Sequence, residues 1–180
     1  MAKAIGIDLG TTNTVAAEMR GEPAKPQAFI TPDASYITRS VAAYDNGSWI
    51  IGAQAEEMGR FLPNCVIAST KRFIGLNFDD QRIQRDIAML NGNMPSHPRV
   101  VAPPQGESGV RFRFYPPNSN PIEQSPVEIA TCILKAAKDN AASSGGAEVT
   151  HAVITVPAYF DAARIEACLL YTSDAADDLT

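Results

Sequence analysis

A short stretch near the start of the chain places a carboxylate, a glycine and hydroxyl side chains close together. The residues IGIDLGTTNTVAA (5–17) contain an apolar run that ends at Asp8, a polar turn and a second apolar run. Gly10 lets the backbone approach a ligand closely because it has no Cβ. Successive backbone N–H groups across such a turn can form a concave anion site, with donors from Gly10, Thr11, Thr12 and Asn13.

The charge of Asp8 limits the role that it can have beside this turn. A carboxylate repels a phosphate, so its useful role would be to hold Mg²⁺ or the water ligands of Mg²⁺. The turn fits neither the G-x-x-x-x-G-K-[ST] loop nor the G-x-G-x-x-G loop. A tight hairpin whose threonines bind nothing explains the same residues. Taken alone, the stretch therefore indicates either a grip for phosphates or an ordinary hairpin.

Strands must position this turn. The segments 3–8 and 14–19 are predicted strands on either side of it. SVAAYDNGSWIIG (40–52) predicts a β-hairpin around Asn-Gly. VTHAVITVPAYF (149–160) predicts a buried strand that runs into a proline turn. With one long helix between the strands, the order of elements indicates an α/β or α+β class.

That helix is predicted over residues 125–142. Ser125 is suited to the N-cap, Pro126 to the first helical position and Glu128 to the third, which together form a capping box. The apolar spacing predicts a buried face made of Ile129, Cys132, Ile133 and Ala136.

The bulk composition is that of a globular protein and excludes several classes of partner. Of the 180 residues, 45% are hydrophobic and 19% are charged, and the net charge is −5. This negative charge argues against nucleic acid or an anionic membrane surface as a partner. No apolar run is long enough to span a bilayer. The alternating VRFRFY (110–115) is predicted to be an exposed edge strand, with a nucleic-acid stripe as the alternative.

Several collinear motifs resemble one family. IGIDLGTTNTV resembles the first phosphate motif of the superfamily that joins actin, sugar kinases and the 70-kDa heat-shock (DnaK-type) chaperones. Further motifs select the chaperones, and the resemblance covers about residues 3 to 167. These motifs are STKRFIGL (69–76), FDDQRIQRDI (78–87), SPVEIATCILKAAKDNA (125–141) and AVITVPAYF (152–160).

The resemblance implies a fold and a division into subdomains. The fold would be the actin-like ATPase fold (ribonuclease H-like), an α/β fold with a mixed sheet, and the chain would cover its first lobe only. Residues 1–40 and 122–167 would form the core subdomain of that lobe. Residues 41–121 would form an inserted peripheral subdomain.

The resemblance also implies site residues, with ATP and Mg²⁺ as the bound groups. Asp8 would organise the water shell of Mg²⁺. Lys71 would lie near the γ-phosphate and orient the attacking water. Pro157 would be the allosteric switch. The β- and γ-phosphates would be lined by Gly10, Thr11, Thr12 and Asn13.

The implied function is that of a cytoplasmic, ATP-hydrolysing chaperone in protein folding and the stress response. ATP and ADP would control the binding of unfolded client peptides to a domain that this chain lacks. A J-domain co-chaperone and a nucleotide exchange factor are the implied partners. The alternatives are a sugar kinase, an actin-like filament protein and a non-catalytic half-domain.

Two departures from the family pattern bear on coupling and on the turn. Arg39 stands where the family usually has a proline, which predicts a looser turn there. Ile165, rather than Arg164, falls at the position of the arginine that relays the proline switch, so the coupling is expected to be altered or the sequence to lack one residue.

The last segment does not continue the family pattern. CLLYTSDAADDLT (168–180) resembles the translated sequence of a transposon adapter used in sequencing libraries. We therefore expect residues from about 168 onward to be adapter read-through. The second lobe would then be missing, and the chain alone is expected to bind ATP weakly or undetectably.

Overall fold

The computed structural model of the chain describes residues 3–93, 98–145, 148–156 and 160. Along these residues the structure has eleven strands and three α-helices, with short 3-10 and π turns between some of them. The strands are β1 (Lys3–Leu9), β2 (Asn13–Arg20), β3 (Lys25–Ala28), β4 (Thr38–Arg39), β5 (Val41–Asp45), β6 (Ser48–Ile51), β7 (Val66–Ala68), β8 (Arg99–Val101), β9 (Arg111–Phe114), β10 (Ile122–Gln124) and β11 (Val149–Thr155). The helices are α1 (Ala53–Met58), α2 (Gln84–Ala88) and α3 (Pro126–Gly145).

A mixed sheet carries the polar turn at its end. Its strand order is β11-β1-β2-β3, and β4 also pairs with β2. β1 is parallel to β11, with Asp8 opposite Thr155, and antiparallel to β2, with Leu9 opposite Thr14. The predicted strands at 3–8 and 14–19 are therefore confirmed. The mixed sheet also confirms the predicted α/β class.

Two smaller antiparallel sheets are formed by the middle of the chain, in the orders β6-β5-β7 and β10-β9-β8. The predicted hairpin is confirmed as β5 and β6, with Asp45 opposite Ser48. Asn46 and Gly47 between them have φ angles of 48° and 82°. Two positive φ angles are what a type I′ hairpin turn requires.

The capping box at the start of α3 is confirmed. The backbone N–H of Glu128 donates to Ser125 Oγ at 3.0 Å, and the backbone N–H of Ser125 donates to Glu128 Oε2 at 2.7 Å. The predicted buried face is partly wrong, because Cys132 and Ala136 are only half-buried. Since α3 packs against β2 and the turn around residue 71 as well as against β1, its buried face is rotated and includes Ile129, Ala130, Ile133, Leu134, Ala137 and Ala141.

The main hydrophobic core joins the mixed sheet, α3 and the sheet of β8, β9 and β10. Ile5 and Ile7 of β1 share this core with Phe112 and Phe114 of β9. Both phenylalanines have no exposed side-chain surface. A second, smaller core lies under β5 and consists of Val41, Ala43, Ala55, Cys65 and Val66.

The prediction of an exposed edge strand at 110–115 is wrong. β9 is the central strand of its sheet, and its phenylalanines are buried in the main core. Arg111 donates to Glu107 at 2.6 Å and to Glu128 at 2.8 Å, and Arg113 donates to Glu123 at 2.7 Å. The arginines are therefore paired with carboxylates of this chain, which does not favour a nucleic-acid stripe.

The prediction of a buried strand at 149–160 is also wrong for most of its length. Val149 is buried, but most of the following residues of β11 are exposed, and Val153 is 72% exposed. Among the described residues, β11 pairs only with β1 and packs little against α3, so most of its side chains are left uncovered. An apolar sequence does not by itself decide how many neighbours a strand has.

Candidate functional site

The turn between β1 and β2 is closed so tightly that a side chain does not fit at its first residue. A Cβ on Gly10 would lie 2.1 Å from the carbonyl oxygen of Asn13. Real Cβ atoms do not approach a backbone oxygen so closely, so the conformation requires glycine at this position. Thr11 and Asn13 are half-buried and Thr12 is exposed. The turn therefore presents backbone and hydroxyl groups at the end of the sheet.

Ser40, between β4 and β5, supports this turn from below. Its backbone N–H donates to the carbonyl oxygen of Thr12 at 2.8 Å. Its hydroxyl donates to the carbonyl oxygen of Gly10 at 2.8 Å and lies 3.0 Å from the Thr14 hydroxyl. Ser40 and Thr14 are 4% and 1% exposed. Because backbone carbonyls are bound from this side, the turn is fixed by a buried polar network.

Asp8 is the second-to-last residue of β1, next to the polar turn, and it is exposed. The hydroxyl of Thr155, on the neighbouring β11, donates to Asp8 Oδ1 at 2.6 Å. This contact follows from the parallel register, which places the two residues opposite each other. The carboxylate is thus oriented by one hydroxyl while its face remains open to a ligand.

Lys71 reaches the same turn from a different part of the chain. It belongs to a 3-10 turn (Thr70–Phe73) that follows β7, and it is only 9% exposed. Its Nζ donates to the carbonyl oxygen of Leu9, the residue between Asp8 and Gly10. Nζ also lies 5.6 Å from the centre of the Phe160 ring, within range of a cation–π contact. A buried ammonium is therefore fixed beside the carboxylate and the turn.

Arg39 forms a bridge on the other side of the turn. Its Nη1 donates to Asn13 Oδ1 at 2.8 Å. Its Nε and Nη2 each donate to the carboxylate of Glu56 on α1 at 2.9 Å. Arg39 is also paired with Asn13 in the β2–β4 ladder. The sequence predicted a looser turn at Arg39. In the structure, hydrogen bonds to Asn13 and Glu56 hold this residue in place instead.

Asp8, Lys71 and the polar turn fit a phosphate chain with bound Mg²⁺ better than a metal ion held by protein side chains alone. Among the residues that the structure describes, no group of three or more His, Cys, Asp or Glu side chains is placed to hold a metal ion. Mg²⁺ is often bound through one or two carboxylates, retained waters and substrate phosphates. A single oriented carboxylate, Asp8, beside a turn that has no room for a Cβ at Gly10 matches that mode.

The structure brings together the residues that the sequence singled out wherever it describes them. Asp8, Lys71 and the turn of Gly10, Thr11, Thr12 and Asn13 lie at one end of the sheet. Pro157, Arg164, Ile165 and the segment 168–180 lie outside the described residues.

Sequence reasoning missed Ser40, Thr155 and the role of Arg39. Ser40 begins the predicted hairpin segment and Arg39 precedes it, but no sequence pattern marks either residue as a neighbour of the turn. Thr155 becomes recognisable only when β11 is aligned in parallel with β1, because that register places it opposite Asp8. The signal in all three cases is tertiary.

The segment of the chain that holds this site matches a known family. A family model described as Hsp70 protein matches residues 4–176, nearly the whole chain. The family consists of chaperone-type ATPases with the actin-like ATPase fold, and the mixed α/β architecture agrees with part of its first lobe. Among the described residues, no helix is long and apolar enough to cross a membrane. The chain belongs to the Hsp70 family.

Proposed function

We propose that this chain provides the first phosphate-binding turn and the catalytic lysine of an ATP-hydrolysing chaperone. The observation that carries the proposal is the contact of Lys71 Nζ with the Leu9 carbonyl, between Asp8 and Gly10. It joins a buried cation, a carboxylate and an anion-binding turn although Lys71 is far from the other residues in sequence. An ordinary hairpin whose threonines bind nothing would not need a buried lysine beside it.

Each residue has a role that follows from its chemistry. The backbone N–H groups and hydroxyls of the turn (10–13) bind the β- and γ-phosphates. Asp8, held by Thr155, binds water ligands of Mg²⁺, which when bound neutralises phosphate charge. Lys71 lies beside the γ-phosphate, orients the attacking water and offsets the charge that develops on transfer. Phosphoryl transfer is catalysed mainly by such positioning and electrostatic stabilisation.

The rest of the nucleotide cleft belongs, in this proposal, to a second lobe beyond this chain. Residues 1–40 and 122–167 form the core subdomain of the first lobe and 41–121 its inserted peripheral subdomain. The gathering of β1 to β4 with β11 in one sheet supports this division. The exposed side chain of Val153 on β11 supports a further neighbour in the complete protein.

The wider assignment follows from the family and from this division. Client peptides bind a separate domain under the control of ATP and ADP, with Pro157 as the switch. A J-domain co-chaperone and a nucleotide exchange factor are the partners, and the cytoplasm and the stress response are the setting. A sugar kinase would instead phosphorylate a sugar, and a filament protein would sediment as a polymer with ATP.

The catalytic part of the proposal is tested by replacing the ammonium of Lys71 in the complete protein. Lys71→Met keeps the buried hydrocarbon stem and is expected to lower the single-turnover rate of ATP hydrolysis by about 10²–10³. Arg72→Ala is the matched control, because this neighbouring side chain is 59% exposed and lies 3.9 Å from Asp86. Equal effects of the two variants would contradict a specific role for Lys71.

The boundary of the chain is tested on DNA. The source gene is amplified outward from the region that encodes VITVPAYF and is sequenced without a transposon library. A frame that continues past Ala167 into a second phosphate loop supports the truncated chaperone and the adapter origin of residues 168–180. The family match overlaps this segment up to residue 176. A native gene that encodes CLLYTSDAADDLT contradicts the adapter origin and favours a non-catalytic half-domain.

A further inference from the structure

Arg39 connects the polar turn to helix α1. Among the described side-chain hydrogen bonds of residues 10–13, only the one to Arg39 makes this connection. Arg39 closes β4 and lies opposite Asn13 of β2. Its guanidinium donates to Asn13 Oδ1 on one side and, through two nitrogens, to both carboxylate oxygens of Glu56 on the other. The three side chains therefore form one continuous chain of hydrogen bonds.

The chemistry of this chain sets the direction of the Asn13 amide. A guanidinium has only donors, so the amide must face Arg39 with its oxygen. The amide NH₂ group, which is bonded to the same carbon as the oxygen, then points away from Arg39. Phosphate oxygens only accept hydrogen bonds, so an amide turned in this sense offers them donors. The reverse orientation would place the lone pairs of Oδ1 against the anion.

Glu56 fixes the guanidinium in the plane that this contact needs. The contact is a two-pronged one, which adds geometric specificity to a charged hydrogen bond. The side chains of Arg39 and Glu56 are 37% and 51% exposed. Exposed ion pairs of this kind contribute little to stability because solvent screens them. The value of the pair therefore lies in orientation rather than in holding the fold together.

We propose that Arg39 is a positioning residue for the phosphate turn. It holds the Asn13 amide with its NH₂ group toward the phosphates, and Glu56 holds Arg39. The proposal rests on the proposed function, because it needs a phosphate at residues 10–13. It also makes the turn sensitive to α1, since movement of Glu56 releases Arg39 and then Asn13.

The first test needs no nucleotide and uses the 180-residue chain. The order parameter of the Asn13 side-chain NH₂ group is measured by ¹⁵N relaxation in the wild type and in Arg39→Met. We expect a rigid group in the wild type and a mobile one in the variant, with Glu56→Gln between them. Arg60→Met is the control, because Arg60 pairs with Glu57 on the same region of the surface at 3.1 Å. An equally rigid amide in Arg39→Met overturns the proposal.

The second test asks whether Arg39 acts through Asn13. Dissociation constants of Mg²⁺–ADP are measured for the complete protein as wild type, Arg39→Met, Asn13→Ala and the double variant. Arg39→Met is expected to weaken binding about three- to tenfold, the range of one net hydrogen bond, and to add nothing in the Asn13→Ala background. A further loss in that background would mean that Arg39 contacts the nucleotide directly, and it overturns the positioning role. If the complete wild-type protein binds no nucleotide, the proposed function fails, while the Asn13 order parameter still decides the role of Arg39.

Discussion

Single residues decide the shape of the polar turn (residues 10–13), and Gly10 is the most constrained of them. A Cβ atom on Gly10 would lie only 2.1 Å from the carbonyl oxygen of Asn13. The Ser40 hydroxyl donates to the Gly10 carbonyl oxygen, so the turn cannot shift without breaking a partly buried hydrogen bond. A substitution at this position should therefore deform the turn rather than be absorbed by it.

Gly10→Ala should lower the free energy of unfolding by about 1–3 kcal/mol, as overpacking a closed site does. It should also weaken Mg²⁺–ATP binding, because the backbone N–H groups of the turn would no longer converge. Gly6→Ala, in the preceding strand β1, is the matched control, since its Cβ would meet only the Ala17 carbonyl oxygen at 3.9 Å. Urea unfolding and nucleotide titration of both variants provide the comparison. Equal stability of the two alanine variants would show that the turn adapts.

The residue types of the site could be predicted from the sequence because they are adjacent. Asp8 and the turn of residues 10–13 lie within a few positions of one another, so their common location needs no tertiary information. Lys71 could be connected to them only through the family resemblance. Ser40 and Thr155 could not be found, because strand pairing alone brings them to Gly10 and Asp8.

At the scale of elements, local signals predicted structure well and burial less well. The Asn-Gly turn and the capping box of α3 are encoded within a few residues, and both are confirmed. The failures at β9 and β11 have one cause. The position of a strand in a sheet depends on partners that are distant in sequence, so alternation in VRFRFY and the apolar run after residue 149 were insufficient.

Ser125→Ala should destabilise the protein by about 1 kcal/mol, because the backbone N–H of Glu128 loses its acceptor at the start of α3. The site should be otherwise intact, since α3 keeps its buried face. Urea midpoints measure the change. Ser143→Ala, at an exposed position near the other end of α3, is the control and should be close to neutral. Similar losses in the two variants would mean that the cap contributes nothing specific.

The link between β4 and α1 should depend on pH. The hydrogen bond from Arg39, opposed by burial and aided by the charges of Arg39 and Arg60, lowers the pKa of Glu56. A carboxyl with a lowered pKa stabilises the fold above its unfolded value of about 4.3, and this contribution is lost as the pH falls through the folded value. The effect should be small and largest at low salt, because the pair is exposed.

Stability is therefore measured by urea unfolding between neutral and acidic pH. Glu56→Gln should flatten the acid limb of the curve relative to the wild type. Glu57→Gln, its neighbour on α1, removes one charge without touching Arg39 and serves as the control. An acid limb unchanged by Glu56→Gln would contradict the linkage.

At the scale of the whole molecule, one hydrophobic core supports both the site and the middle of the chain. Ile5 and Ile7 belong to β1, the strand that carries Asp8, and they share this core with Phe112 and Phe114. The polar turn therefore follows a strand that is packed into the core, rather than extending from a loop. The family and fold class were accessible from the sequence, because several motifs occur in one order. The common core was not, because it joins segments that are far apart in the chain.

The central claim is that the turn of residues 10–13 binds phosphates beside Asp8 and Lys71. It is tested most directly by titrating Mg²⁺–ATP into the ¹⁵N-labelled chain at millimolar concentrations and following backbone amide shifts by NMR. Because the proposed function assigns the rest of the cleft to a second lobe, binding to this chain should be weak and in fast exchange. We predict saturable shifts centred on Gly10, Thr11, Thr12 and Asn13 that disappear in Gly10→Ala and persist in Gly6→Ala. A folded chain whose turn amides do not move, or whose shifts lie elsewhere, would contradict the claim.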